Sequence, residues 1–501
     1  MKARPQPFSF RSPLCAPLVV TLFGVWFGSC TPLEDGADES PLVVGGGSGA
    51  EAGAATMSGA NFGGSSVGGK QSEGGEGPEG GAGGAQGGAR ATACPPLKQR
   101  SVKRLGDDGE VTIGTDTTWS CNHAYEITSN VIVSPGVTLR IEPGVTIKLK
   151  QRLMVLVQRG AQLEAAGTAA EPITFTSAKP EGMRGAGDYR GLILIGDGPS
   201  QSSTTTVHDS LSDSRAHYGG GQAGKAGGSC GTLRYVRVEF AGGSIDDLSL
   251  PAGALTLAGC GAGTVVDYVQ VHRATDGVGL LGGTVGLRHI VVTNNFLGEA
   301  IEWSAGYTGT MQFVVAQSLG ASAAMQGSNS ADDEEASPVS RPTIFNATLV
   351  GSPPLATGQH FGFVLQFGSR AVFKNSLIQG FADAAFDLRL SPNVLKNELG
   401  SGKNVDISHA LLNANTVAYS EQAQGLSTMQ SMRTQDPALR AATNPTPAMP
   451  DAIPLFAPVD PTVNTDPASV PTGFDTTAGF RGGVPQDGPD WTLGWTSFPN
   501  D

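Results

Sequence analysis

The sequence is poor in charge, and the charge that it has is mainly negative. Only 15% of its 501 residues are Asp, Glu, Lys or Arg, against a typical value of ~25%. The 45 Asp and Glu residues outnumber the 32 Lys and Arg residues, which gives a formal net charge of −13. Because phosphate backbones are bound by basic surfaces, this balance excludes nucleic acid as the main partner.

Long apolar runs and cysteines are also scarce. The one long apolar run covers residues 14–27, and no second run follows, so a membrane protein with several spans is excluded. The six cysteines form no Cys-x-x-Cys pair and no His-Glu-x-x-His motif occurs, which argues against a zinc site. Glycine, in contrast, is abundant: its 72 residues are about twice the average share of ~7%.

The first 29 residues have the pattern of an export signal. A positively charged start precedes the apolar run 14–27, which is too short to span a bilayer comfortably. The run ends in Phe27-Gly28-Ser29-Cys30, which resembles the lipobox of bacterial lipoproteins. We therefore predict a signal peptide over 1–29, lipidation of Cys30 and attachment to a membrane through the lipid. By resemblance to known sorting signals, Thr31 favours the outer membrane of the cell envelope, with the body facing either the cell surface or the periplasm. The alternatives are an ordinary secretory signal or a retained anchor.

Residues 30–93 are predicted to form a disordered tether. Residues 41–90 contain 19 Gly and a single aromatic residue, Phe62. Such a segment cannot bury enough apolar surface to offset the entropy of ordering it. A Gly-rich coil of about 55 residues has an r.m.s. span of ~40 Å, which would hold a folded body clear of the membrane surface.

Beyond residue 125 the pattern is that of short β-strands joined by turns. In 131–149 apolar and polar residues alternate, and two Pro-Gly turns lie eight positions apart. Residues 283–292 align with 306–315 without gaps. Two further pairs match in the same way: Tyr235 with Tyr268, and Asn346 with Asn375. Repeats of about 20–35 residues in an all-β chain predict a solenoid, with about ten to twelve coils over 125–415. The alternative is a propeller, whose blades need ~40–50 residues.

These patterns divide the exported body into three parts. Residues 94–124 are predicted to form an N-terminal edge or cap, and 125–434 the solenoid itself. Residues 435–501 are predicted to form an irregular capping tail, in which Trp491 and Trp495 pack back onto the solenoid.

Four cysteines remain in this body, and they can pair in three ways. Cys94 and Cys121 bracket the N-terminal edge, whereas Cys230 and Cys260 open two similar segments that are expected on adjacent coils. We therefore predict the disulfides 94–121 and 230–260. Both belong in an oxidising compartment.

Several segments of the chain resemble a family of bacterial exported proteins and lipoproteins. The matching strings are spread over residues 115–496 and include VTLRIEPGVTI (137–147), GTAAEPITFTS (167–177), GTLRYVRVEFAG (231–242) and GGTVGLRHIVVTNN (282–295). The resemblance implies an all-β fold, a right-handed single-stranded parallel β-helix of pectin-lyase-like shape. It implies no established activity.

The resemblance also points to a group of acidic residues. Members of the family carry paired acids in two adjacent coils. At the matching positions this chain keeps Asp276, Glu299 and Glu302, followed by Trp303, but has Thr275, Gly279 and Gly298 in place of three acids. Three carboxylates with backbone and water oxygens could bind Ca²⁺, which takes six to eight oxygen ligands. The alternative is a solvated acidic patch with Trp303 packed on a coil face. No other cofactor is expected.

Three functional classes fit these features. We favour a non-catalytic surface protein that binds a polysaccharide or a surface protein. The alternatives are a polysaccharide lyase or hydrolase and a purely structural envelope protein. An enzyme of this kind needs two carboxylates and a basic residue on one coil face, whereas a binding module needs a groove with exposed aromatic rings. The polar insertion 200–230, with Tyr189 and Tyr218 nearby, is predicted to face the ligand.

Overall fold

A computed structural model describes residues 94–205, 207, 214–242, 253–295, 297–319, 322–351, 359–439, 456–458, 460–487 and 489–499. The predicted signal peptide, Cys30 and the predicted tether lie outside the described residues. Among the helices of the described residues, none has both the length and the apolar character that crossing a membrane requires.

The described residues are mainly short β-strands. The first half contains β1 (Ser101–Leu105), β2 (Val111–Ile113), β3 (Thr117–Trp119), β4 (His123–Ile127), β5 (Val131–Val133), β6 (Thr138–Ile141), β7 (Thr146–Leu149), β8 (Met154–Val157), β9 (Gln162–Ala166), β10 (Ile173–Ser177), β11 (Gly191–Ile195), β12 (Gly231–Glu239) and β13 (Leu255–Ala258). The second half contains β14 (Val265–His272), β15 (Val278–Leu281), β16 (Gly286–Asn295), β17 (Ile301–Ser304), β18 (Thr310–Ser318), β19 (Ala323–Ser328), β20 (Thr343–Gly351), β21 (Phe361–Gln366), β22 (Ala371–Gln379), β23 (Ala384–Arg389), β24 (Val405–Asn413), β25 (Val417–Tyr419) and β26 (Arg433–Thr434).

Helical structure is limited to short pieces. The described residues contain one α-helix, α1 (Pro392–Asn397), and 3₁₀ turns at Leu97–Gln99, Ser214–Ala216, Gly221–Ala223, Glu421–Thr428 and Pro461–Asn464.

The strands form two parallel sheets that wind around one core. The long sheet has the order β1-β4-β7-β10-β12-β14-β16-β18-β20-β22-β24-β26, with β3, β6 and β9 joined to its first coils. The short sheet has the order β2-β5-β8-β11-β13-β15-β17-β19-β21-β23-β25. Each strand therefore pairs with its equivalent one coil later. The fold is the predicted right-handed parallel β-helix, and the ten long-sheet strands from β4 to β24 agree with the predicted number of coils.

Alternating apolar side chains explain why these segments form stacked strands. In β8, Val155 and Val157 point into the main core, while Met154 and Leu156 belong to a second apolar cluster on the outer face. The insertion after β11 supplies Tyr218 and other apolar side chains to this second cluster. Parallel strands buried on both faces read as nearly continuous apolar runs, which is the pattern of β8 and β11.

Each later long strand bends at one residue in the left-handed region of φ. The bend residues have φ between 48° and 60°: Tyr235, Tyr268, His289, Phe313, Asn346, Asn375 and His409. In β12 the residues before the bend pair with β9 and those after it pair with β10. The bend therefore takes the place of a turn between two separate strands.

Four of the bend residues stack as a ladder of rings. Ring centroids are 4.5 Å apart for Tyr235 and Tyr268, 4.2 Å for Tyr268 and His289, and 4.9 Å for His289 and Phe313. The gapless alignment of the two repeats, which paired His289 with Gln312, is wrong by one residue. The register pairs Arg288 with Gln312 because one extra residue lies between the short and long strands of that coil.

The C-terminal segment 456–499 lies along the outside of the long sheet. Asn375 donates to the carbonyl of Ala468 at 2.9 Å, and Gln270 donates to the carbonyl of Ser497 at 2.6 Å. The segment therefore runs back across the coils from β22 to β14. Trp495 is 1% exposed and meets the rings of Tyr235 and Tyr268 edge-on, so the tryptophans do pack back onto the β-helix.

The C-terminal end of the core is closed by other residues of the chain. Leu426 and Ala423 of the 3₁₀ segment Glu421–Thr428 and Val394 of α1 belong to the main core at the C-terminal end. The segment 456–499 is thus a lateral strap. At the other end, the first coil already begins at β1, within the segment that the sequence assigns to an edge or cap.

Two disulfides join neighbouring coils. Cys94 is bonded to Cys121 and Cys230 to Cys260, with Cα–Cα distances of 5.6 and 5.7 Å. This is the predicted pairing. Cys230 and Cys260 are fully buried at the entrances of consecutive long strands.

Candidate functional site

The three predicted acids meet at the edge of the short sheet. Asp276 lies two residues before β15, and Glu299 lies two residues before β17. The amide of Gly277 donates to the carbonyl of Glu299 at 2.9 Å. Asp276 and Glu299 thus occupy equivalent places in adjacent coils. Glu302 lies in β17, opposite Gly279 of β15. The repeat offset of 23 residues predicted this juxtaposition.

Asp276 and Glu302 are poorly solvated, and burial dominates the electrostatics of these two acids. Burial, followed by the charge of Glu299, raises the pKa of Asp276 to about 7. Burial, followed by the charges of Glu299 and Asp276, raises the pKa of Glu302 well above its usual range. The hydroxyl of Ser322 donates to Glu299 Oε1 at 2.6 Å. Glu302 Oε1 is inaccessible and has no hydrogen-bond partner.

Glycine at position 298 makes room for one of these carboxylates. A Cβ at Gly298 would overlap the carboxylate of Asp276. The family that the sequence resembles carries an acid at this position. In this chain the carboxylate of Asp276 fills the space that a side chain at 298 would need. Restoring a side chain at 298 requires Asp276 to move.

A cation site is not formed by these residues. Among the described residues, no group of three or more His, Cys, Asp or Glu side chains is arranged to hold a metal ion. In the same part of the chain, no Lys or Arg forms an ion pair with Asp276, Glu299 or Glu302. The hypothesis of a Ca²⁺ site gains no support from this geometry.

Trp303 does not join the acids. Its ring is 1% exposed and lies in the main core, and its Nε1 donates to Ser369 Oγ at 3.1 Å. A Cβ at Gly327, one coil later, would overlap the Trp303 ring. The indole is therefore packed in the core, which agrees with the packing alternative.

A cavity of about 570 Å³ opens on the outer face of the short sheet beside Glu302. Its floor is formed by outward-facing side chains of β17 and β19, and Gln326 lies in register with Glu302. Phe367, 39% exposed, stands at its rim. The lining residues are Gln201, Ser202, Thr205, Tyr218, Glu302, Trp303, Ser304, Ala305, Gln326, Ser328, Asn329, Ser330, Ala331, Asp332 and Phe367.

The predicted ligand-facing insertion forms one wall of this cavity. Gln201 and Tyr218 of the insertion line it, and burial raises the pKa of Tyr218 to about 12. Tyr189 lies instead in the main core, 1% exposed. The insertion thus contributes Tyr218 to the cavity, and Tyr189 takes no part in it.

Sequence reasoning missed the opposite wall, residues 328–332. Asp332 lies in this wall, where it is exposed and lines the cavity. Gln201 Nε2 donates to Asn329 Oδ1 at 2.7 Å and joins the two walls. The buried Arg370 pairs with Glu335 at 2.9 Å and holds the end of this loop. Nothing in the local sequence links Gln201 to Asn329, which lie 128 positions apart.

The fold and the site together define a parallel β-helix with a cavity on the outer face of its short sheet. The model of the pectate-lyase like beta helix domain matches residues 109–454, which is well over half of the chain. The chain therefore belongs to this family. It has no significant match among curated proteins or among solved structures.

Proposed function

We propose that this protein is a surface lipoprotein whose β-helix binds a polysaccharide without cleaving it. The observation that carries the proposal is the cavity on the short sheet. Its volume of about 570 Å³ falls within the ~300–1,000 Å³ that is usual for ligand sites. Its lining combines amide and hydroxyl side chains with the exposed ring of Phe367.

The proposed anchor rests on the sequence. The apolar run 14–27 and the lipobox-like ending at Cys30 support export and lipidation, and Thr31 supports the outer membrane. The Gly-rich segment that follows supports a tether. A protein so held would present its groove to polymers at the cell surface.

Binding and cleavage can be measured together on the full-length protein in detergent. We expect saturable binding to at least one polysaccharide by calorimetry and no new reducing ends. Gln326→Ala removes a groove side chain and should weaken binding about tenfold, the equivalent of ~1.4 kcal/mol. Gln422→Ala, an exposed glutamine outside the cavity, should bind like the wild type. Absence of binding to every polysaccharide tested would contradict the proposal.

A glycoside hydrolase is the second candidate, and the acid cluster favours it. A carboxylic acid that stays protonated near neutral pH can act as a general acid, and a nearby carboxylate can serve as its partner. Burial raises the pKa of Asp276 to about 7. If new reducing ends form and Asp276→Asn abolishes them, this candidate replaces the binding module.

A further inference from the structure

We propose that the cavity beside Glu302 selects uncharged polysaccharides and rejects polyuronates. The inference rests on the proposed function and names the ligand class for the same site. It follows from the charges that line the cavity, from its unused hydrogen-bonding groups and from its one exposed ring.

The charged groups at the cavity are acidic. The exposed Asp332 lines it, and Glu299 lies close enough to Glu302 for its charge to act there. No Lys or Arg is among the lining residues that the structure describes. A polyuronate would bring one carboxylate per sugar against these groups, and like charges in a partly desolvated site repel each other.

The cation further along the same sheet face is already neutralised. Arg389, two coils beyond Gln326, pairs with Asp387 at 2.7 Å, and its guanidinium lies 5.1 Å from the centre of the Phe361 ring. The positive charge of Arg389, which could attract a uronate, is therefore already balanced by Asp387.

The floor of the cavity carries polar groups that have no partner in the described residues. Glu302 Oε1 is inaccessible to solvent and makes no hydrogen bond. Gln326 is its neighbour across the strand pair, at a strand spacing of ~4.8 Å, and Ser304 follows on the same face of β17. Neither Gln326 nor Ser304 forms a side-chain hydrogen bond to a described residue.

Neutral sugars match this set of groups. A hydroxyl both donates and accepts, so a row of hydroxyls can satisfy a carboxyl, an amide and a hydroxyl together. Burial raises the pKa of Glu302 well above its usual range and so disfavours a negative charge on the cavity floor. The exposed ring of Phe367 offers an apolar face for a sugar ring to stack on.

The test compares neutral and acidic polymers on the full-length protein in detergent. Polygalacturonate is titrated beside galactan, xylan, mannan and a β-glucan of similar chain length at pH 7, in low and in moderate salt. We expect at least one neutral polymer to bind ten or more times tighter than polygalacturonate, a difference of ~1.4 kcal/mol or more. Moderate salt should narrow the gap because it screens the repulsion.

Variants at Gln326 test the role of charge. Gln326→Lys introduces a cation and should raise the affinity for polygalacturonate, whereas Gln422→Lys, outside the cavity, should not. Equal or tighter binding of polygalacturonate by the wild type overturns the inference and leaves the proposed function intact. Failure of every polymer to bind overturns the proposed function itself.

Discussion

At the scale of single residues, the acids show how far a repeat can predict a site. The offset of 23 residues placed Asp276 and Glu299 in adjacent coils, and the register that pairs Val278 with Ile301 has that spacing. The offset does not tell whether a side chain points inward or outward. Glu302 faces the cavity and Trp303 faces the core. Which of the two faces outward depends on how β17 pairs with β15 and β19.

The first prediction concerns the pH dependence of stability through Asp276. Its pKa is about 7 in the folded protein and 3.8 in a model compound, so the folded state holds the proton more tightly than the unfolded state. The resulting stability is present below pH ~4 and is lost as the pH rises through about 7. Asp276→Asn cannot ionise at this position. Between pH 4 and 8 its free energy of unfolding should therefore exceed that of the wild type, by at most about 4 kcal/mol.

Chemical denaturation at several pH values measures this difference. Asp108→Asn, at an exposed turn, is the matched control and should follow the wild type at every pH. If the difference in unfolding free energy between Asp276→Asn and the wild type stayed the same at every pH, position 276 would not hold a buried carboxyl that titrates.

The second prediction concerns Gly298. Gly298→Ala places a methyl group where the Asp276 carboxylate lies, and such overpacking should cost about 1–3 kcal/mol in unfolding free energy. In an Asp276→Ala background the clash disappears, so the same substitution should cost much less. Gly114→Ala, where nothing lies within 4 Å of the added methyl, serves as the control. Equal costs in the two backgrounds would mean that the carboxylate does not occupy this space.

At the scale of elements, the bends of the long strands explain what could be predicted and what could not. Alternation and Pro-Gly turns in 131–149 predicted β5 to β7 because each coil buries the same face. The alignment failed at His289 by one residue because a loop between the two sheets can lengthen without disturbing either sheet. A repeat length read from sequence averages over such loops.

The third prediction tests the bend at Tyr268, where φ is 56°. Asn tolerates this conformation and occupies the equivalent place at Asn346 and Asn375, whereas a β-branched residue is strained there. Tyr268→Val should therefore be less stable than Tyr268→Asn, by about 1–2 kcal/mol. Both variants lose the ring stack, so denaturation of the pair isolates the backbone effect. If Asn were no better than Val, the bend would not be held in the left-handed region.

At the scale of the whole molecule, the sequence predicted the β-helix but not how its surfaces are covered. The apolar area of Trp491 and Trp495 indicated packing onto the coils. The length of the tail did not show whether it covers the end of the β-helix or runs along its side. The direction is set by contacts between distant residues, such as Asn375 with Ala468 and Gln270 with Ser497. The walls of the cavity depend on a similar long-range pair, Gln201 and Asn329.

The fourth prediction concerns the proposed anchor, on full-length protein expressed in a Gram-negative host. Cys30→Ala should lose fatty-acid labelling and move from the membrane fraction to the soluble fraction, because the proposed acyl chains are its hold on the membrane. Cys15→Ala changes a cysteine within the predicted signal peptide and should remain labelled and membrane-bound. Labelling that survives in Cys30→Ala would contradict lipidation at this residue.

The lateral strap changes how a stack of coils comes apart. Where each coil touches only its neighbours, a solenoid can fray one coil at a time from either end. The segment 456–499 grips coils from β22 back to β14, so opening any of them strips contacts from several others. The five consecutive coils from β14 to β22 are thereby linked into one cooperative unit of unfolding.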